Sequence, residues 1–222
     1  ISAVNIPTLI SDWAPNVSTH RLTMGYDRRR HGLVITLVTL STGVNTCYWF
    51  DLRTRGFFPE SYTTNASPYS MHYYEAQDPD FRHLFLGGRD GLIRQFDDLT
   101  KNDAVNAAET EAINAYFTIG PVAIGVDRDS RGKLTSLSIT TGNDTDGLEW
   151  QLYAADAAED VSDNMASETS DISGTISVAG RVKLKPRVRG IYLGLRLENS
   201  TLGKTFSIEN IVGTIKPAGT PP

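Results

Sequence analysis

His83-Leu84-Phe85-Leu86-Gly87-Gly88-Arg89-Asp90-Gly91-Leu92-Ile93-Arg94-Gln95-Phe96-Asp97 decides how this chain is read. Leu84 and Leu86 alternate with Phe85, and Gly88-Arg89-Asp90-Gly91 supplies the backbone freedom of a hairpin loop. Leu92, Arg94 and Phe96 then alternate with Ile93, Gln95 and Asp97, the period of a returning strand. One hairpin cannot hide its own apolar faces, so it must belong to a larger sheet.

A second copy of the unit lies upstream. Gly32-Leu33-Val34-Ile35-Thr36-Leu37-Val38 is rich in β-branched residues, and the loop Ser41-Thr42-Gly43-Val44-Asn45 leads to Thr46-Cys47-Tyr48-Trp49-Phe50-Asp51. Both returning strands end in Phe-Asp, at Phe50-Asp51 and Phe96-Asp97, a spacing of about 46 residues that suits propeller blades. Each hairpin follows a further strand candidate, at 20–26 and 70–76, and 56–62 closes the first unit. Four antiparallel strands per repeat make a propeller blade; a β-meander sandwich is the plainer alternative.

Length and composition set bounds. A chain of 222 residues can form one large all-β domain or two smaller ones. Its net charge of −5 gives no global case for nucleic-acid binding. The single cysteine, Cys47, excludes an internal disulfide and reads as a strand residue, not a metal ligand. No apolar run reaches membrane-spanning length and no signal peptide is visible. The start at Ile1, without an initiator methionine, reads as that of a fragment, a processed product or an incompletely sequenced protein.

In chain order, 1–19 is a lead-in. Arg28-Arg29-Arg30-His31 occupies the first turn of the first unit, where a basic cluster is expected to be solvated. Residues 104–115 read as a loop with at most one helical turn. Gly120-Pro121 is a breaker and the expected boundary between a blade-like portion, 1–119, and a second domain, 120–222. Beyond it come six or seven short strands with turn signals between them, the look of a β-sandwich. Among these, Leu148, Trp150 and Leu152 share one face, and 154–173 reads as an acidic loop. The fold class is therefore all-β, a partial β-propeller of two blade-like units followed by a β-sandwich.

Charge is uneven across the second domain. Asp156, Glu159, Asp160 and Asp163 head an acidic segment that continues to Glu168 and Asp171. After Gly180 the sign reverses, and Lys183, Lys185, Arg187 and Arg189 share one parity of a strand, with Val182, Leu184 and Val188 on the other. Like charges in a row repel unless water, phosphate or an acidic surface meets them. An edge strand guarded by its charges, with Pro186 marking the edge, is the plain reading. A subunit interface and a DNA-facing surface are the functional ones, and the acidic segment is the candidate partner.

Catalytic motifs are absent from the sequence. There is no Gly-x-Ser-x-Gly elbow, phosphate-cradling glycine loop or His-Glu-x-x-His. His20, His31, His72 and His83 show no ligand spacing, and the pairs Asp127/Asp129 and Asp144/Asp146 lack the further oxygens of a calcium site. Asp51, Glu60 and Asp97 could be imagined as a glycosidase pair, though nothing fixes their separation. No catalytic residue, metal ligand or cofactor is assigned. Aromatics at Tyr48-Trp49-Phe50, Phe57-Phe58 and 69–74 could stack on sugars, but most should be core.

Several short motifs carry a family resemblance. Tyr26-Asp27-Arg28-Arg29-Arg30-His31-Gly32, Tyr48-Trp49-Phe50-Asp51, Gly56-Phe57-Phe58-Pro59, the stretch 86–97 and Ile119-Gly120-Pro121-Val122 come first. Arg187-Val188-Arg189-Gly190, Leu195-Arg196-Leu197-Glu198-Asn199, Ile208-Glu209-Asn210-Ile211 and Pro217-Ala218-Gly219 follow. In this succession the chain resembles tailed-phage and prophage virion proteins of the tail nozzle or tail hub. The resemblance implies a propeller paired with a sandwich and a structural part of the virion instead of an enzyme. It implies copies of the chain in a ring, other tail or connector proteins as partners, and passage of packaged DNA without sequence recognition. Two blades fall short of the four that a closed propeller needs, so further blades lie elsewhere or the propeller is not closed. The alternatives are a carbohydrate- or receptor-binding module and, last, a propeller glycosidase.

Overall fold

A computed structural model describes residues 15–96, 100–104, 110–125 and 130–219. It is all-β, 55% strand against 6% helix, with several sheets and none closed. The chain divides into two compact units between Glu111 and Ala112.

The first unit is built of antiparallel meanders. β1 (His20–Asp27), β2 (Gly32–Thr39), β3 (Asn45–Asp51) and β4 (Phe57–Glu60) form one sheet in chain order. β5 (Pro68–Tyr74), β6 (His83–Gly88) and β7 (Ile93–Gln95) form a second, and β8 (Asn102–Ala104) pairs with β9 (Thr110–Ala112). Both hairpins read from the sequence are present: Val34 faces Trp49 across the first, and Leu86 faces Arg94 across the second. The second sheet has three strands, and Asp97, half of the repeated Phe-Asp signal, lies outside the described residues.

Val34, Leu84 and Leu86 join the two sheets, with Trp49, Tyr62, Met71, Tyr73 and Phe96 packed around them. Gly25 brings β1 hard against this contact, since a Cβ there would sit 2.9 Å from Leu84 Cδ1 and Met71 Cβ. Three fully buried aliphatics contribute roughly 1.5–3 kcal/mol each. So small a core leaves much of the joining to polar contacts.

The second unit has one larger core between two sheets. β10 (Ala115–Ala123), β16 (Tyr192–Asn199), β12 (Leu148–Ala155) and β13 (Ile172–Ile176) pair in that order. Opposite them β11 (Gly132–Thr141) is flanked by β17 (Ile208–Pro217) on one side. On its other side lie β14 (Gly180–Leu184) and β15 (Val188–Gly190). Leu134, Leu137 and Ile139 of one sheet meet Leu148, Trp150, Leu152, Ile176, Leu195 and Leu197 of the other. The alternation of Leu148, Trp150 and Leu152 thus faces the core as expected.

Three expectations need correction. Gly120-Pro121 is not a boundary, because it lies inside β10, whose register shifts between Ile119 and Val122. β10 is an edge strand, so Pro121 costs no ladder bond on its open side. Gly120, at φ +120°, fits where a Cβ would fall 2.6 Å from the Leu193 carbonyl oxygen. The domain limits at 1–119 and 120–222 therefore move to 111/112. Second, the acidic loop contains a helix, α1 (Ala158–Ala166). Ala158, Val161 and Met165 recur at i, i+3 and i+7, Val161 is fully buried, and Glu159 and Asp160 in the first turn suit the helix dipole. Third, the single basic strand is two, β14 and β15, broken at Lys185-Pro186-Arg187, where Arg187 takes φ +59°.

Candidate functional site

The arginine turn of the first unit is built in, not merely solvated. Asp27 closes it by accepting the Arg29 N–H at 3.0 Å and the Arg30 N–H at 3.3 Å. Arg30 then lies between two rings, its guanidinium carbon 3.8 Å from the Trp49 centroid and 4.2 Å from that of Phe96. Its Nη2 donates to Glu60 Oε1 at 2.8 Å, while Tyr62 donates to Glu60 Oε2 at 2.9 Å. Burial pushes the Glu60 carboxyl above its usual range, and Arg30 only partly pulls it back. Tyr62 is pushed well up, first by burial and then by Glu60.

The neighbouring arginines reach the second sheet. Arg28 pairs with Glu75. Arg29 Nη1 lies 3.1 Å from His83 Nδ1, and His83 Nε2 lies 2.8 Å from the Asp80 carbonyl, so the proton belongs on Nε2 and Nδ1 accepts. Arg89, at the tip of the quoted hairpin, donates to the Ser41 and Thr42 carbonyls at 2.9 Å each. Asp90 holds Arg94 in a fork at 3.0 and 2.6 Å, which keeps the Asp90 carboxyl below its usual range. Arg28, Arg29 and Arg89 thus join the two meanders, while the Asp90–Arg94 fork stays within the second.

Asp51 caps its own turn. The Arg53 N–H first, with Thr54 and the Arg53 side chain, holds its carboxyl low. Burial pushes the Cys47 thiol up to about 12, so it stays protonated at neutral pH. Asp146 pairs with Lys204, Asp127 and Asp129 lie outside the described residues, and no group among the described residues could hold a metal ion. Among them no helix is long and apolar enough to cross a membrane.

The first sheet buries one face on the second and leaves the other apolar. Leu22, Met24 and Tyr26 are 57%, 63% and 43% exposed, and sit opposite Leu37, Ile35 and Leu33. Ile35 and Leu33 continue across the sheet to Tyr48 and Phe50, then to Pro59 and Phe57, whereas Leu37 meets Thr46; Leu37 and Phe50 are themselves buried. The run crosses all four strands.

The predicted basic strand keeps its parity. Lys183, Lys185, Arg187 and Arg189 are all exposed, and Val182, Leu184 and Val188 point inward. Tertiary structure enlarges the surface. Arg189 and Lys216 flank Lys133 directly across from either side, giving three cations in one row. Arg181 lies across from Thr140, and Lys183 from Ser138. Among the described residues none of these cations has a carboxylate partner within 4.0 Å. The pairing of 133 and 216 rests on the register of β11 and β17.

The acidic segment is only partly free. Asp156 is held by Arg131, whose Nε donates at 2.8 Å, and this pairing lowers its carboxyl. Glu168 pairs with Arg196 at 3.0 Å, and Asp171 accepts the Ala154 N–H at 2.6 Å. Glu159, Asp160 and Asp163 stay exposed on α1, with no described cation in reach. Asp156 is thus already paired within the unit.

No protein-family model matches the chain, and a search of curated proteins finds no match.

Proposed function

We propose that this chain is a structural subunit of a phage-like particle, part of a ring in the tail nozzle or hub. Its work is assembly and the passage of DNA, and it needs no cofactor and performs no catalytic step. The two meanders are adjacent blades of an incomplete propeller, and the two-sheet unit is a β-sandwich.

The supporting observation is the open face of the first sheet. A blade packs on a neighbour through both faces, and here one face already does so through Val34. The other carries Leu22, Met24 and Tyr26 in water at its β1 margin, and behind them apolar residues run across the sheet, of which Leu37 and Phe50 are buried. A row of three large exposed apolar side chains backed by further apolar residues suits a face made for another protein surface. On this reading the face is covered by a further blade, from this polypeptide or a neighbouring copy. Its partners are then copies of itself and other tail or connector proteins, its place is the virion, and its contact with DNA lacks base recognition.

Electron microscopy of the full chain, alone and in particles, tests the reading. Rings associated with particles are the expected result. A monomer that binds glycans on an array would replace it with a receptor-binding module. Release of sugar abolished by one carboxylate change would replace it with a glycosidase.

A further inference from the structure

The second unit is polarised across its layers. Leu193, Leu195 and Leu197 of β16 point into the core, so Gly194 and Arg196 point away from it. A Cβ on Gly194 would lie 2.9 Å from Val161 Cγ1 and would also strike Met165, which places α1 on that outer face. The order is helix, sheet, core, sheet, with the basic surface as the outer face of the last layer. Successive layers lie about 10 Å apart, so helix and basic face are separated by roughly 20 Å. That exceeds two Debye lengths of about 8 Å at physiological ionic strength. The charges cannot neutralise one another within one unit.

We propose that the basic face of β11, β14, β15 and β17 docks onto the acidic helix face of a second copy, head to tail. This deepens the reading of the chain as a ring subunit and rests on it. Charge complementarity chooses the occupant. On the helix side Glu159, Asp160 and Asp163 stand exposed, and Glu149 lies on the same outer face of β12. The basic side offers the row Arg189, Lys133 and Lys216, with Lys183 nearby. A two-fold contact would set like against like on either face, which repels. A heterologous contact joins unlike faces and, because both lie on every copy, repeats until rotation closes it. Exposed ion pairs are individually weak, so the contact sets register and direction more than it holds the ring.

The test uses the full chain in two charge-reversed forms. One carries K183E, K185E, R187E and R189E, whose four carboxylates outnumber the remaining Lys133, Lys216 and Arg181, so both outer faces are net acidic. The other carries E159K, D160K and D163K, so both are basic. Sedimentation velocity should show wild-type self-association weakened at least tenfold between 0.15 M and 1 M salt, as the Debye length shrinks to about 3 Å. Neither variant should associate alone, and an equimolar mixture should co-assemble, which also shows that both are folded. Wild-type rings that persist unchanged in both variants would overturn this contact and leave the ring reading standing. Monomers at every salt and in the mixture would overturn both. Salt-sensitive binding of a labelled single-stranded oligonucleotide, lost in the first variant while assembly survives, would overturn the contact and make the face a phosphate-binding one.

Discussion

Replacing Arg30 with alanine should cost the first unit roughly 3–4 kcal/mol. Two contributions make up that figure. The guanidinium lies 3.8 Å from the Trp49 ring and 4.2 Å from the Phe96 ring, and each half-buried contact is worth about 1 kcal/mol. Removing the cation also strands Glu60, whose other oxygen accepts from Tyr62. Breaking a fully buried pair costs about 3–5 kcal/mol. Here the side chains are 26% and 23% exposed, so water recovers part of the loss and about 1–2 kcal/mol remains. Hydrogen exchange followed by mass spectrometry on 32–51 reads the effect locally, without requiring both units to unfold together. The slowest amides there should exchange on the order of a few hundredfold faster, because each 1.4 kcal/mol is a factor of ten. Adding E60Q to R30A should recover the second contribution and leave the first. If R30A speeds exchange less than about threefold, the ring stacking contributes little. If E60Q recovers nothing, the stranded carboxylate is not the source of the cost.

Two further outcomes follow from the same structure. Glu60 holds its proton more tightly when folded than unfolded, because burial raises its pKa above the ordinary 4.5. The stability of the first unit should therefore fall as pH rises from about 4.5 through the folded value, by at most about 1.36 kcal/mol per pH unit. E60Q should remove that slope; urea midpoints that respond to pH identically in wild type and variant would contradict it. G194A should loosen α1 while sparing the strands, since the new methyl would meet Val161 and Met165. Crowding of this kind costs about 1–3 kcal/mol, and unchanged exchange protection of 158–166 would refute the close approach.

The alternation of apolar residues determined the longer strands by itself, because a pleated strand exposes successive side chains to opposite faces, but it missed the short polar β9 in what reads as a loop. Leu148, Trp150 and Leu152 could face one core in no other way, and both hairpins lie where glycine and polar turn residues interrupt β-branched runs. Parity likewise determined that Lys183 and Arg189 point to solvent. What local pattern could not determine was anything settled by a neighbour distant in sequence. Gly120-Pro121 reads as a break, yet an edge position and the close Leu193 carbonyl let β10 run through it. α1 has only Ala158, Val161 and Met165 for an apolar face, and Gly194 across the sheet supplies the space that makes them enough. Arg30 reads as one of three solvated cations until Trp49, Glu60 and Phe96, from three other parts of the chain, close around it. Lys133 and Lys216 join the basic face for the same reason: cross-strand register brings together charges that are 83 residues apart in sequence.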